Sequence, residues 1–248
     1  MADQFTAALD DAEEAHARYA EQLGLIEDRT PFAAESLPDT RVAVRVNNDL
    51  LQEVASHILT RAGHVSVIDK RGAGKTHFRE LVYDSLSEGP RSDEFAIARI
   101  REVESITTRR LYTRLLDELD AYDALDIPET YPRATDEVRQ VVEGVAEQLE
   151  AADITCIVQV DQLEDAARNT RTFEQLLAGL QSIGDLGETG PAFILFLFGT
   201  PEAGDRLDEL RETLSSRLVA KDRSLERFEF GETEELIARW LAWDREED

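Results

Sequence analysis

Eight consecutive residues combine glycines, a lysine and a threonine in a spacing that suits phosphate chemistry. Glycines let backbone N–H groups close around phosphate oxygens, and a helix that begins at the loop adds the partial positive charge of its N-terminus. We expect Lys75 to reach the β- and γ-phosphates of a nucleotide and the Thr76 hydroxyl to bind Mg²⁺. The run is Asp69-Lys70-Arg71-Gly72-Ala73-Gly74-Lys75-Thr76. The residues expected to contact the nucleotide are Arg71, Gly72, Ala73, Gly74, Lys75, Thr76 and His77.

The first position of this run departs from the usual phosphate-loop pattern G-x-x-x-x-G-K-[ST]. Asp69 stands where the pattern has glycine, and a carboxylate there should repel phosphate unless it points away. The alternative interpretation is an ordinary Gly-Ala-Gly turn before a helix, with Lys75 exposed in its first turn. The chain has only three lysines, Lys70, Lys75 and Lys221. Because two of them lie in this loop, phosphate binding is favoured.

An acid at the end of an apolar strand is the second candidate. The run Ile157-Val158-Gln159-Val160 leads into Asp161, and Gln162 and Glu164 follow. It resembles the Walker B element, which places a carboxylate beside the magnesium ion. Asp161 and Thr76 are therefore the expected metal ligands. The alternative is that Asp161 caps the following helix.

A third buried strand runs into Gly199-Thr200-Pro201-Glu202, where the proline suits the first position of a helix. Thr200 resembles the polar sensor-1 residue that contacts a γ-phosphate, although a helix N-cap would look the same. Four arginines follow within the next part of the chain: Arg211, Arg217, Arg223 and Arg227.

Helical and strand patterns alternate around these motifs. Strands are predicted at residues 64–68, 95–100, 154–160, 192–198 and 225–230. Helices are predicted between them, including one opened by a capping box from Thr172 to Gln175 and one at 203–214. Such alternation predicts an α/β fold with a five-stranded parallel sheet in three layers. A helix through Phe5 to Leu23, a linker and a short extended segment at 41–46 precede it. The predicted domains are an N-terminal helix and linker at 1–40, a core at 41–230 and a C-terminal helix at 231–248.

Charge is lopsided, with 53 acidic and 27 basic residues and a formal net charge of -26. The composition resembles that of proteins from salt-accumulating archaea. Self-repulsion at this charge disfavours a compact chain in dilute buffer, whereas at about 1 M salt the Debye length is roughly 3 Å. The single cysteine excludes an internal disulfide and favours the cytoplasm. The longest apolar run, 192–198, is far shorter than the roughly 20 residues of a membrane helix, so no membrane partner is expected.

Taken in this order, the motifs resemble those of the AAA+ ATPases and the related STAND switch ATPases. Within AAA+ they are most similar to archaeal origin-recognition initiators and transposition-helper ATPases, over residues 41–230. The resemblance implies a three-layer P-loop fold that binds ATP and Mg²⁺. It places Gln162 or Glu164 at the catalytic base, and glutamine can position a water but cannot accept its proton. It also implies that Thr200 senses the γ-phosphate and that Arg217 reaches a neighbouring subunit's nucleotide.

The resemblance further implies a protein partner or a homo-oligomer. Initiators continue into a helical lid and a winged-helix domain, whereas only residues 233–248 follow the core here, enough for a partial lid of one helix. A chain of charge -26 repels DNA phosphates, so we expect DNA contact to be weak or mediated by a partner.

Three functions remain open at this point. The first is a nucleotide-dependent switch or motor ATPase that acts on DNA or on a protein partner. The second is a nucleotide-binding interaction module without hydrolysis, which Asp69 and Gln162 favour. The third is a P-loop small-molecule kinase, for which Arg109, Arg110 and Arg114 could form an arginine-bearing lid.

Overall fold

The computed structural model describes residues 47–188, 190–223 and 225–244, together with residues 18, 21, 22 and 24. The chain divides into two compact units, one of residues 47–226 and one of residues 1–46 and 227–248. Apart from those four isolated positions, the predicted first helix and the extended segment at 41–46 lie outside the described residues. In the second unit, a helix spans Phe230–Asp244.

Helices and strands alternate along the unit of residues 47–226, as the sequence predicts. In chain order they are α1 (Asn48–Thr60), β1 (His64–Ile68), α2 (Lys75–Ser87), β2 (Phe95–Ile100), α3 (Thr108–Leu119), α4 (Thr135–Ala151), β3 (Thr155–Val160), α5 (Leu163–Ala167), α6 (Thr170–Gly184), β4 (Phe193–Gly199), α7 (Pro201–Leu210), α8 (Glu212–Ser215) and β5 (Leu218–Arg223). Short 3-10 turns at Ser92–Glu94 and Val103–Ser105 flank β2. The helix at Phe230–Asp244 is α9.

The sheet has the strand order β2-β3-β4-β1-β5, and all neighbours are parallel. The register is regular from β2 through β1, with Val65 opposite Phe196 and Ile157 opposite Ile194. Pairing between β1 and β5 shifts register twice. Because the strands are parallel, the residues that follow β1, β3 and β4 all lie at the carboxyl-terminal end of the sheet. The phosphate-loop run, Asp161 and Thr200 are therefore brought to the same end of the sheet.

Four of the five predicted strands are confirmed, and the fifth, predicted at residues 225–230, is wrong. Leu225 is buried, but Phe228 and Phe230 are 41% and 79% exposed, and α9 begins at Phe230. The fifth strand of the sheet is instead β5, whose sequence ends in Lys221-Asp222-Arg223 and so lacks the apolar run of a central strand. Charged residues are common on edge strands, where they disfavour pairing of the open edge with another chain.

Two predicted helix boundaries are also wrong. The helix expected to open with a capping box from Thr172 to Gln175 begins at Thr170, and the Asn169 side chain caps it by accepting from Thr172 N–H at 3.1 Å. The helix expected at 203–214 ends at Leu210, and α8 is a separate turn. The first error comes from choosing Thr172 in place of Asn169 as the capping residue, and the second comes from continuing the apolar periodicity across Arg211.

Apolar side chains cover both faces of the sheet. On one face, α3, α4 and α6 pack against β2, β3 and β4. On the other face, α1 and α2 pack against inward residues such as Val67, Ile157 and Phe198. Cys156 on β3 is fully buried, and this burial raises the pKa of its thiol. No helix among the described residues is long and apolar enough to cross a membrane.

Candidate phosphate-binding site

The loop between β1 and α2 has the backbone shape that its glycines allow. Gly72 and Gly74 adopt φ values of 78° and 95°, in the left-handed region that favours glycine. A Cβ at Gly72 would meet no atom within 4 Å, so there is room for a side chain. Glycine is favoured at this position because of its positive φ angle. Gly74 occupies the N-cap position of α2 and has no side chain with which to cap it. The first N–H groups of α2 are thereby left for an anion.

Lys75 folds back over this loop. Its Nζ donates to the carbonyl oxygens of Asp69 at 2.5 Å and Lys70 at 2.8 Å. Burial lowers the pKa of Lys75, and the nearby carboxylates of Glu164, Asp69 and Asp161 oppose that shift. The ammonium is thus held at the loop among three acids.

Asp69 directs its carboxylate into backbone hydrogen bonds. Oδ1 accepts from the N–H of Lys70 at 2.7 Å, and Oδ2 accepts from the N–H of Leu225 at 2.9 Å. Its own N–H donates to the carbonyl of Gly199 at 3.0 Å, which extends the pairing of β1 with β4. These bonds explain how an acid is accommodated where the usual loop has glycine.

The two expected metal ligands do not form a ready cation site. Thr76 is exposed at the start of α2. Asp161 Oδ2 accepts a hydrogen bond from Arg79 Nη1, and Asp161 Oδ1 accepts from the N–H of Gln162 at 2.8 Å. A guanidinium therefore already neutralises the carboxylate. Among the described residues, no group of three or more His, Cys, Asp or Glu side chains could hold a metal ion. A magnesium ion bound by Asp161 would therefore have to compete with the Arg79 guanidinium.

The two candidates for the catalytic base differ in their surroundings. Gln162 is exposed and adopts a left-handed conformation, with φ at 58°. Glu164 is half-buried on α5, and its Oε1 lies 3.9 Å from Arg71 Nε. Glu164 Oε2 is buried without a hydrogen-bond partner in the part of the chain that the structure describes. The negative charge of Glu164 also raises the pKa of Lys75, in opposition to the effect of burial.

Thr200 follows β4 beside this group. It occupies the N-cap position of α7, but its hydroxyl makes no capping hydrogen bond. Its Oγ1 is buried and unpartnered among the described residues. The Thr200 hydroxyl holds the pKa of the Glu202 carboxyl below its usual value, although the two do not reach good hydrogen-bond geometry. A cleft of about 300 Å³ lies here, and its lining includes Arg71, Glu164, Arg168, Thr200 and Arg206.

Two further predicted site residues are His77, expected to contact the nucleotide, and Arg217, expected to act on a neighbouring subunit. His77 lies in the first turn of α2, where burial lowers the pKa of its imidazole. Arg217 lies at the amino-terminal end of the parallel strands, away from the phosphate loop. Its carbonyl accepts a hydrogen bond from the N–H of His64 at the start of β1. Its guanidinium pairs with Asp185. The structure therefore does not bring Arg217 to the phosphate loop of its own chain.

Two of the three arginines considered for a kinase lid are engaged in the fold. Arg109 Nη2 donates to the carbonyl of Pro132 at 2.7 Å. Arg114 donates to the carbonyl of Arg101 and pairs with the Glu102 carboxylate. These contacts fix the two side chains of α3 to neighbouring loops and disfavour a mobile arginine-bearing lid.

Sequence reasoning missed Arg79. It lies three residues beyond Thr76 on α2, between the buried residues Phe78 and Val82, and is itself only 8% exposed. A charged residue on the apolar face of a helix is the signal that could have identified it, because a buried charge requires a partner.

No protein-family model matches the sequence, and no curated protein matches it. Solved structures match its fold. The Aeropyrum pernix ORC2 protein in its ADP form has a TM-score of 0.65 and 14% identity, covering 88% of this chain and 57% of that one. The same protein in ADPNP–ADP complexes has a TM-score of 0.60 and 15% identity, and the match covers 87% of this chain and 56% of that one. The Aeropyrum pernix ORC1 protein in complex with DNA has a TM-score of 0.52 and 14% identity, and the match covers 82% of this chain and 51% of that one.

At these identities the likeness is one of fold. The chain has an α/β fold with a parallel sheet like that of the ORC proteins. The chain spans a little over half the length of those proteins.

Proposed function

We propose that the chain binds ATP through the loop from Asp69 to Thr76 and acts as a nucleotide-dependent switch of AAA+ type on a protein partner or on DNA. The observation that carries the proposal is the loop itself. It joins a buried parallel strand to a helix N-terminus, with two glycines in left-handed conformations and the Lys75 ammonium folded over it. Each of these features favours a bound polyphosphate.

Contacts around Thr200 and Glu164 support a site that distinguishes ATP from ADP. The Thr200 hydroxyl and Glu164 Oε2 are both buried without partners among the described residues. A buried polar group without a partner is unfavourable until something satisfies it. A γ-phosphate and its attacking water would supply such partners. Glu164, which can accept a proton, is a better candidate for the base than the exposed Gln162.

The solved structures with this fold support the same proposal at a coarser level. ORC2 was determined in ADP and ADPNP–ADP forms, and ORC1 was determined with DNA. For this chain a net charge of -26 disfavours direct DNA contact, so we place a protein partner or a second copy ahead of DNA.

The test is ATP binding by the full chain in buffer with high KCl, measured by calorimetry. Lys75→Ala should weaken binding by at least about tenfold, because it removes the ammonium at the loop. Lys70→Ala is the matched control, since Lys70 is exposed and contributes its backbone carbonyl to Lys75. Equal ATP affinity for the wild type and Lys75→Ala would contradict the proposal.

A second candidate is a nucleotide-binding module without hydrolysis. The exposed Gln162 and the pairing of Asp161 with Arg79 favour it. Phosphate release separates the two functions. Lys75-dependent ATP binding with no phosphate release, alone or with a partner, favours the module, whereas release that Glu164→Gln abolishes favours the ATPase.

A further inference from the structure

The acid expected to hold magnesium is already paired with a cation that belongs to the fold. Arg79 is 8% exposed on α2, and its Nη1 donates to Asp161 Oδ2. Its Nη2 donates to Glu80 Oε1 at 2.5 Å. The other oxygen of Asp161 accepts from Gln162 N–H at 2.8 Å. Both carboxylate oxygens of Asp161 therefore have protein donors.

Arg79 is held from several sides. Its carbonyl accepts from Nε2 of the buried Gln159 at 3.4 Å. Its partner Glu80 also accepts from Arg99 Nη1 at 2.9 Å, and the Arg99 guanidinium lies 3.9 Å from the centre of the Tyr83 ring. Moving the Arg79 side chain would therefore break its contacts with Asp161 and with Glu80, which is itself held by Arg99 of β2.

Magnesium would have to compete with this arrangement. A Mg²⁺ ion requires oxygen ligands in near-octahedral geometry and loses its waters reluctantly. Displacing the buried guanidinium from Asp161 removes one of its two acidic partners, which is unfavourable for a buried charge. The free energy needed to displace Arg79 would therefore reduce the affinity of Asp161 for Mg²⁺.

We propose that the Arg79 guanidinium takes the place of the metal at Asp161, so that this chain binds ATP with an affinity that does not depend on Mg²⁺. The inference rests on the proposed function, because it concerns the same loop. Arg79 is a charge-compensating residue of the site, and the phosphates are bound by the loop and Lys75.

The experiment compares ATP affinity by calorimetry in excess Mg²⁺ and in EDTA, at high KCl. For the wild type the two dissociation constants should agree within about fivefold, because the carboxylate is already neutralised. Arg79→Met, which keeps an unbranched side chain but removes the charge, should bind ATP at least about tenfold more tightly with Mg²⁺ than without. Adding Asp161→Asn to that variant should remove the new preference for Mg²⁺, because the freed carboxylate is gone.

A wild type that binds ATP more than about fivefold more tightly with Mg²⁺ would overturn the inference, since the metal would then gain a ligand that Arg79 should occupy. This wild-type comparison decides the matter even if Arg79→Met does not fold. Failure of the proposed function is distinguishable, because then Lys75→Ala would leave ATP binding unchanged in both buffers. Lys75-dependent binding that requires Mg²⁺ would overturn the role of Arg79 alone.

Discussion

The Asp69 carboxylate accepts a hydrogen bond from the N–H of Leu225 across 156 positions of sequence, at 2.9 Å. The acid at the first position of the phosphate loop thus fastens a residue that lies just beyond β5. The Leu225 side chain is 7% exposed, and its Cδ1 would lie 3.9 Å from a Cβ at Gly74. Asp69 has a structural partner, which is why its charge is compatible with a loop built for phosphate.

Asp69→Ala should lower the free energy of unfolding by about 1–2 kcal/mol, because two backbone N–H groups lose a charged acceptor. Asp69→Asn should fall between the wild type and Asp69→Ala, since one amide oxygen replaces the two carboxylate oxygens that serve the two donors. Urea denaturation at high KCl measures both variants. Identical unfolding midpoints for all three proteins would show that these bonds do not stabilise the fold.

Thr200→Val should leave the free energy of unfolding within about 0.5 kcal/mol of the wild type or raise it, because the buried hydroxyl makes no well-formed hydrogen bond among the described residues. The same substitution should reduce the preference for ATP over ADP, which calorimetry measures. Thr200→Ser keeps the hydroxyl and serves as the control. An unchanged nucleotide preference in Thr200→Val would exclude a sensor role.

Arg217→Ala tests whether this residue acts on a neighbouring subunit. Arg217 and Asp185 are 44% and 41% exposed, so breaking their ion pair should cost no more than about 1 kcal/mol of stability. We expect ATP affinity to be retained and phosphate release to fall. Asp185→Ala breaks the same pair but keeps the guanidinium, so it should release phosphate normally. Equal release by both variants and the wild type would exclude the role.

His64 makes stability depend on pH. Burial, and to a lesser extent the charge of Arg217, lowers the pKa of His64 to about 4, and Nδ1 accepts from the N–H of Leu195 at 3.3 Å. The unfolded chain has the ordinary pKa of 6.5, so it binds the proton first as pH falls. The stability that neutral His64 provides is complete above about pH 6.5 and is lost as pH falls toward about 4, and the loss is about 3 kcal/mol.

Thermal unfolding between about pH 8 and pH 4 checks this expectation, because it spans both pKa values of His64. His64→Asn, which keeps an acceptor for Leu195, should lose less stability than the wild type over that range. The matched control is the same substitution at His57 on α1, which leaves the hydrogen bond between His64 and Leu195 in place. Parallel curves for the wild type and His64→Asn would contradict the assignment.

Strong local patterns predicted much of the fold. Four strands were found because they are apolar on both faces, and the loop was found because its glycines and lysine are adjacent in sequence. The edge strand β5 was missed because its charged end carries no such pattern. The roles of Asp69 and Arg79 depend on Leu225 and Asp161, which are 156 and 82 positions away. The place of Arg79 on the apolar face of α2 shows that it needs a partner, but at that separation no local pattern shows which residue the partner is.

The buried thiol of Cys156 makes the folded protein inert toward thiol-directed dyes. It lies inside the sheet at 0% exposure, and its raised pKa keeps the reactive thiolate scarce. Because it is the sole cysteine in the chain, a second cysteine placed on the surface would take up a fluorophore at a single known position. The wild-type thiol would become labelled only when β3 opens, so the rate of its labelling reports how often the sheet comes apart.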